Sequence, residues 1–115
     1  GPDNQTIDHH FEATGPLGAN DTIELTVTNR GGIDPDASAV LLNVTAITPD
    51  APGFLTVWPC GTQRPLASNL NYTTHQVIPN AVLAKIGTNG KICIYSIATT
   101  HLVVDVNVAY RNGSA

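Results

Sequence analysis

GFLTVWPCGTQRPLASNLNY, residues 53–72, is the stretch that decides the fold of this chain. Its first seven residues alternate in the manner of a β-strand, with aliphatic side chains on one face. The opposite face carries Phe54, Thr56 and Trp58. A Pro-Cys-Gly turn follows, and then a second short extended segment that ends at Tyr72. The stretch therefore predicts two strands joined by a loop, with one strand face that is unusually aromatic for a solvent face.

The same period of two recurs along the chain. Strand-like segments are expected at 22–28, 39–47, 53–59, 68–72, 77–86, 91–97 and 102–110. Asn89-Gly90 is a strong hairpin signal, because both residues tolerate the positive φ of a tight turn. In the last segment one face is expected to hold Leu102, Val104, Val106, Val108 and Tyr110. Seven or eight short strands without a helical stripe predict an all-β domain, an antiparallel β-sandwich of Ig-like or jelly-roll-like type.

The composition bounds the class of protein. A length of 115 residues fits one domain, which we place at 7–110, with residues 1–6 as a linker that begins like a protease-cleavage remnant and 111–115 as a tail. Charged residues are only 12% and the net charge is −4, so no basic patch exists for nucleic acid. No apolar run reaches the roughly 18 residues of a membrane span, and membrane insertion is not expected.

The two cysteines, Cys60 and Cys93, each lie at or in a strand-like segment. They predict one disulfide, which would close a loop of about 30 residues in an oxidising compartment. The alternative is a pair of buried free thiols. A zinc site would need further ligands at suitable spacing, and the sequence offers none.

Several segments together resemble a known kind of module. They are NRGGI (29–33), SAVLLNVTAITPDAPGFLTVWPCGTQRPLASNLNY (38–72), QVIPNAVLAKIGTNGKICIYS (76–96) and HLVVDVNVAY (101–110). They are similar to an accessory β-module of secreted and cell-surface proteins of actinobacteria and related bacteria. The resemblance implies export to the cell surface or medium and a non-catalytic role beside hydrolases or stalk-like repeats, such as binding polysaccharide or cell wall.

The candidate ligand site surrounds the tryptophan. Trp58, Phe54 and Tyr72 could form an aromatic platform for sugar rings, whose apolar faces stack on aromatic side chains. The nearest polar groups in the sequence are those of Thr62, Gln63, Arg64, Asn69 and Asn71, of which Arg64, Asn69 and Asn71 are the expected polar contacts. In the alternative interpretation, Trp58 fills the core between the sheets and Arg64 secures its own loop.

Other ionisable residues give weaker signals. Asp34, Asp36 and Asp50 lie in Pro-containing loops and could hold calcium. Asp8, His10 and Glu12 are better explained as a solvated edge strand than as a metal site. Asp105 is a carboxylate inside an apolar strand and should be paired for structural reasons, for instance with Arg64.

Catalysis is not expected, because no nucleophile–base motif and no pair of carboxylates is recognisable. The leading hypothesis is a non-catalytic accessory module without a cofactor that binds a polysaccharide or cell-wall glycan. The alternative is a structural, adhesion or assembly module that contacts other protein chains, which the low charge density would allow.

Overall fold

The computed structural model of the chain describes residues 11–30 and 32–111, which form eight β-strands. The strands are β1 (Phe11–Leu17), β2 (Asp21–Thr26), β3 (Ala37–Ile47), β4 (Gly53–Pro59), β5 (Leu70–Tyr72), β6 (Val77–Lys85), β7 (Lys91–Ser96) and β8 (Thr100–Arg111). Within the described ranges the one helical element is a short 3-10 turn at Thr88–Gly90. No helix in these ranges is long and apolar enough to cross a lipid bilayer.

The strands form two antiparallel sheets of four. Sheet A has the order β1-β8-β3-β6 and sheet B the order β2-β7-β4-β5. The first strand thus pairs with the last, the second with the seventh, the third with the sixth and the fourth with the fifth. This is one long antiparallel hairpin wrapped into two sheets, which is the jelly-roll arrangement. The predicted sandwich is confirmed, in its jelly-roll form.

The core lies between the sheets and is almost entirely aliphatic. On β3 every second side chain is fully buried in it, namely those of Val40, Leu42, Val44 and Ala46. Leu55 and Val57 of β4 enter the same core from sheet B. The period of two therefore assigned the inner faces of these strands correctly, because each sheet has one face against the other.

The face assigned to the end of β8 is wrong, because the strand contains a β-bulge. The register with β3 shifts where Leu41 pairs with Val108 and Leu42 pairs with Val106. The extra residue reverses the side-chain direction beyond it. Ala109 contacts the core, whereas Val108 belongs to neither of the two hydrophobic clusters and Tyr110 is exposed.

The Asn89-Gly90 turn forms, but it does not close a hairpin. Both residues have positive φ, as their types predict. However, β6 lies in sheet A and β7 in sheet B, so this connection crosses between the sheets. It is fixed at Gly87, where an added Cβ would lie 2.2 Å from the carbonyl oxygen of Cys60. Only glycine allows so close an approach to that backbone.

The predicted disulfide is confirmed and joins Cys60, just beyond β4, to Cys93 on the neighbouring β7. The first residue of the predicted tail, Arg111, is the last residue of β8. The predicted linker at 1–6, the tail beyond Arg111, Asp8 and His10 lie outside the described residues. β1 is an edge strand of sheet A.

Candidate functional site

The loop between β4 and β5, residues 60–69, covers part of the outer face of sheet B, and we call it the cover loop. Several hydrogen bonds tie it to β4, and three of them involve side chains of the strand or of Asn69. The indole Nε1 of Trp58 donates to the carbonyl oxygen of Thr62 at 3.1 Å. The hydroxyl of Thr56 donates to the carbonyl oxygen of Ala67 at 3.1 Å. The backbone N–H of Val57 donates to the side-chain oxygen of Asn69 at 2.7 Å, and this bond continues the ladder where β5 has not yet begun.

Beneath the cover loop lies a small second hydrophobic cluster, which we call the outer cluster. It consists of Trp58, Tyr95 and the Cys60–Cys93 disulfide, with Phe54 at its margin. The Arg64 guanidinium lies over the Tyr95 ring, 3.7 Å from its centroid, in cation–π geometry. The Tyr95 hydroxyl donates to the side-chain oxygen of Asn20.

The structure places Trp58 in neither of the two expected settings. Its side chain faces away from the core between the sheets, as the alternation on β4 predicted, yet it is only 7% exposed. The indole therefore offers no open face on which a sugar could stack. Arg64 is exposed and its guanidinium stacks on Tyr95, so this contact joins the cover loop to β7.

Tyr72, also expected at the site, lies in the core between the sheets. Its hydroxyl is 2.8 Å from the Ser96 hydroxyl and accepts a hydrogen bond from the backbone N–H of Ala98 at 2.9 Å. Tyr72 is 3% exposed, so it holds the end of β7 and the chain after it and cannot reach a ligand in solvent.

Tyr72→Phe is expected to lower the free energy of unfolding by about 1–3 kcal/mol, because it leaves the Ala98 N–H without its acceptor. Urea unfolding followed by circular dichroism measures the change. Tyr110→Phe is the matched control, since this ring is 37% exposed and should tolerate loss of its hydroxyl. Equal effects of the two substitutions would contradict the assigned role.

The asparagines of the prediction lie at a different place, a cleft between β5 and β6 that we call the edge cleft. It has a volume of about 320 Å³ and is lined by Ser68, Asn69, Leu70, Asn71, Ile78, Pro79 and Asn80. The Asn80 side-chain amide donates to the backbone carbonyl oxygen of Asn69 at 2.5 Å and links β6 of sheet A to the end of the cover loop. The Ser68 hydroxyl donates to the Asn71 side-chain oxygen at 3.2 Å. The cleft exists because β5 is three residues long and β6 nine, so the sheets end unevenly.

The lining of the edge cleft is polar but contains no ionisable side chain. Within the described residues nothing accepts a hydrogen bond from the Asn71 side-chain nitrogen, and nothing donates one to the Asn80 side-chain oxygen. Amide groups of this kind supply a donor and an acceptor side by side. Ile78 and Pro79 add apolar surface. The arrangement suits an uncharged ligand that carries both hydroxyl groups and C–H faces.

Of the predicted site residues, only Asn69 and Asn71 line the cleft. The other residues of the cleft lie on β6 and were not among the predicted site residues, although the sequence of that strand contains a signal. One face of β6 carries Ile78, Asn80, Val82 and Ala84. The three apolar side chains of this series contact the core. An asparagine in such a series indicates that the core ends there and polar surface begins, and Asn80 is exposed in the structure.

The three aspartates considered for calcium do not share one site. Asp34 and Asp36 precede β3 and Asp50 follows it, and a strand of this length spans roughly 33 Å. Asp34 is already engaged, since its Oδ1 accepts from the Asp36 N–H at 2.8 Å and its Oδ2 is 3.6 Å from the Arg111 guanidinium.

Among the described residues, one cluster of side chains has the spacing of metal ligands, namely Glu24, Cys60 and Cys93. Its two sulfur atoms are bonded to each other in the disulfide. Pairing of Asp105 with Arg64 is wrong, because Asp105 lies in sheet A whereas Arg64 is stacked on the outside of sheet B.

Comparison with known proteins adds no relative: no family model, no curated protein and no solved structure matches the chain, so its resemblance to the actinobacterial accessory module stays a prediction.

Proposed function

We propose that this domain is a non-catalytic accessory module of a secreted or cell-surface protein, and that its edge cleft binds a short segment of an uncharged polysaccharide. The observation that supports the proposal is the lining of the cleft, which combines amide and hydroxyl groups with apolar side chains and contains no charge. A jelly roll by itself indicates no function, since one fold serves many.

The chemistry of the lining matches a sugar in two respects. The amide groups of Asn71 and Asn80 can exchange hydrogen bonds with neighbouring hydroxyls of a pyranose ring, which donate and accept in the same way. The apolar edge formed by Ile78 and Pro79 can contact the C–H groups of the ring. The volume of about 320 Å³ is at the lower end of the range for ligand pockets, so a chain would be held over a short length.

The disulfide supports the proposed location. Cys60–Cys93 is a structural cross-link between neighbouring strands. Such links persist in oxidising surroundings and are rare where thiols are kept reduced. A module exposed to the medium gains stability from this bond without a large core.

Asn71→Ala is expected to weaken glycan binding about tenfold, which corresponds to the loss of one or two hydrogen bonds. Stability should hardly change, because Asn71 is exposed and its side chain bonds only Ser68 within the described residues. Affinity electrophoresis in gels that contain neutral soluble β-glucans, xylans or mannans identifies a ligand. Titration calorimetry with its oligosaccharides then measures the change.

Gln63→Ala provides the matched control, because Gln63 is an exposed amide of the cover loop outside the cleft. It should leave binding unchanged. Equal weakening by the two substitutions would move the site to the outer cluster. Binding to acidic polysaccharides alone, or no retardation by any glycan, would contradict the proposal.

A further inference from the structure

The edge cleft continues onto the outer face of sheet B, because Asn71 belongs to both surfaces. Asn71 lines the cleft and is the middle residue of β5. Leu70 and Tyr72 on either side of it lie in the core, so the Asn71 side chain points away from the core. In the strand register Asn71 pairs with Phe54 of β4. Since directly paired residues share a face, with Cβ atoms roughly 5 Å apart, Phe54 is the next side chain beyond the rim of the cleft.

Phe54 is the least buried aromatic residue of the outer cluster. Trp58 and Tyr95 are buried there, whereas Phe54 is only partly buried, at the margin of the cluster. The centroid of its ring lies 6.0 Å from that of Tyr95, with 45° between the two ring planes, so Tyr95 supports the ring from one side. An aromatic side chain held in this way offers an apolar surface to the C–H face of a sugar ring.

Arg64 supplies hydrogen-bond donors beside this ring. Its guanidinium lies on Tyr95, the same ring that contacts Phe54. A guanidinium that stacks on an aromatic ring is held in place without the use of its N–H donors. Within residues 11–30 and 32–111 the Arg64 guanidinium has no hydrogen-bond or ion-pair partner. Its donors are therefore available to the hydroxyl oxygens of a ligand.

We propose that Phe54, Arg64 and Asn71 form a second subsite, which binds the sugar unit next to the one held in the edge cleft. The inference rests on the proposed function and specifies its ligand, which becomes an oligosaccharide that is longer than the cleft. Phe54 contacts the C–H face of the added unit, Arg64 donates to its hydroxyl groups, and the Asn71 amide lies at the junction of the two subsites. An apolar surface with a few placed polar groups is the usual composition of a ligand site.

The charges of sheet B favour a neutral chain over an acidic one. β4 and β5, which carry Phe54 and Asn71, contain no charged residue. A chain that continued from them across the sheet would approach β2, whose charged residues are the acidic Asp21 and Glu24. An acidic polysaccharide would be repelled there, whereas an uncharged one would not.

The dependence of affinity on chain length tests the proposal. Titration calorimetry compares cello-, xylo- and manno-oligosaccharides of two and of four sugar units. In the series that binds, the wild type should hold the tetrasaccharide about tenfold more tightly than the disaccharide, because the longer chain adds a ring contact and hydrogen bonds. Phe54→Ala should reduce this ratio of affinities to about one, and Arg64→Gln should reduce it to about three. Partial unfolding of a variant would weaken both oligosaccharides equally and leave the ratio unchanged.

Arg30→Gln is the matched control for Arg64→Gln. Arg30 is an exposed arginine that follows β2, at the Lys91 end of β7, whereas β5 lies at the Ser96 end. This variant should keep the wild-type ratio, and Asn71→Ala should weaken both oligosaccharides.

Two results would overturn the second subsite and leave the edge cleft as the binding site. One is a wild type that binds the disaccharide and the tetrasaccharide equally well. The other is an unchanged ratio in Phe54→Ala. A wild type that bound none of these oligosaccharides, and was retarded by no polysaccharide, would overturn the proposed function as well.

Discussion

Trp58→Ala is expected to lower the free energy of unfolding by about 3–5 kcal/mol, although Trp58 lies outside the core between the sheets. The indole is 7% exposed and packs against Tyr95 and the disulfide. Its Nε1 also donates to the carbonyl oxygen of Thr62, which holds the cover loop. Removal of the ring would leave a cavity under the loop and free that carbonyl.

Urea unfolding followed by far-ultraviolet circular dichroism measures the loss, since the variant has no tryptophan signal. Trp58→Phe is the control that separates packing from hydrogen bonding. It keeps an aromatic ring in the outer cluster and loses only the indole N–H and part of the volume, so about half of the effect should remain. An alanine variant of unchanged stability that no longer binds glycan would restore the interpretation of Trp58 as an exposed stacking residue.

Removal of the disulfide by the double substitution Cys60→Ala and Cys93→Ala is expected to cost about 3–4 kcal/mol. The two residues are 33 positions apart, and the bond restricts the unfolded chain over that length. Domains of this size have about 5–15 kcal/mol of stability in all, so the loss is a large fraction of the total.

Wild type reduced with dithiothreitol should unfold at the same urea concentration as the double variant, because both lack the same cross-link. The substitutions at Trp58 and at the cysteines should not add, since these side chains are in contact within the outer cluster. A double variant that unfolds at the same urea concentration as the oxidised wild type would contradict the assigned contribution of the disulfide.

The sandwich could be predicted from the sequence because its main signal is local. On β3 and β4 the recurrence of an aliphatic residue at every second position follows directly from having one sheet face in the core. The bulge at Asn107 and the crossing after Lys85 could not be predicted in this way. Both depend on how the strands pair with one another, and the pairing is not encoded in the local sequence of a single strand.

The site was less predictable, for a related reason. The alternation on β4 correctly directed Trp58 away from Leu55, but it could not say whether solvent or chain covers that outer face. The path of the cover loop decides this, and it depends on hydrogen bonds between residues such as Thr56 and Ala67. The edge cleft arises from the unequal lengths of β5 and β6, which belong to different sheets.

Because the outer cluster is separate from the core, the fluorescence of Trp58 reports on one segment of the protein, the cover loop. The only tryptophan belongs to the outer cluster, and the aliphatic core contains none. Indole emission therefore follows detachment of residues 60–69, whereas circular dichroism follows loss of the strands. Local opening of a loop needs less free energy than global unfolding. Indole emission should therefore change at a lower urea concentration than circular dichroism. Between the two transitions the cover loop is released while the sandwich is still intact.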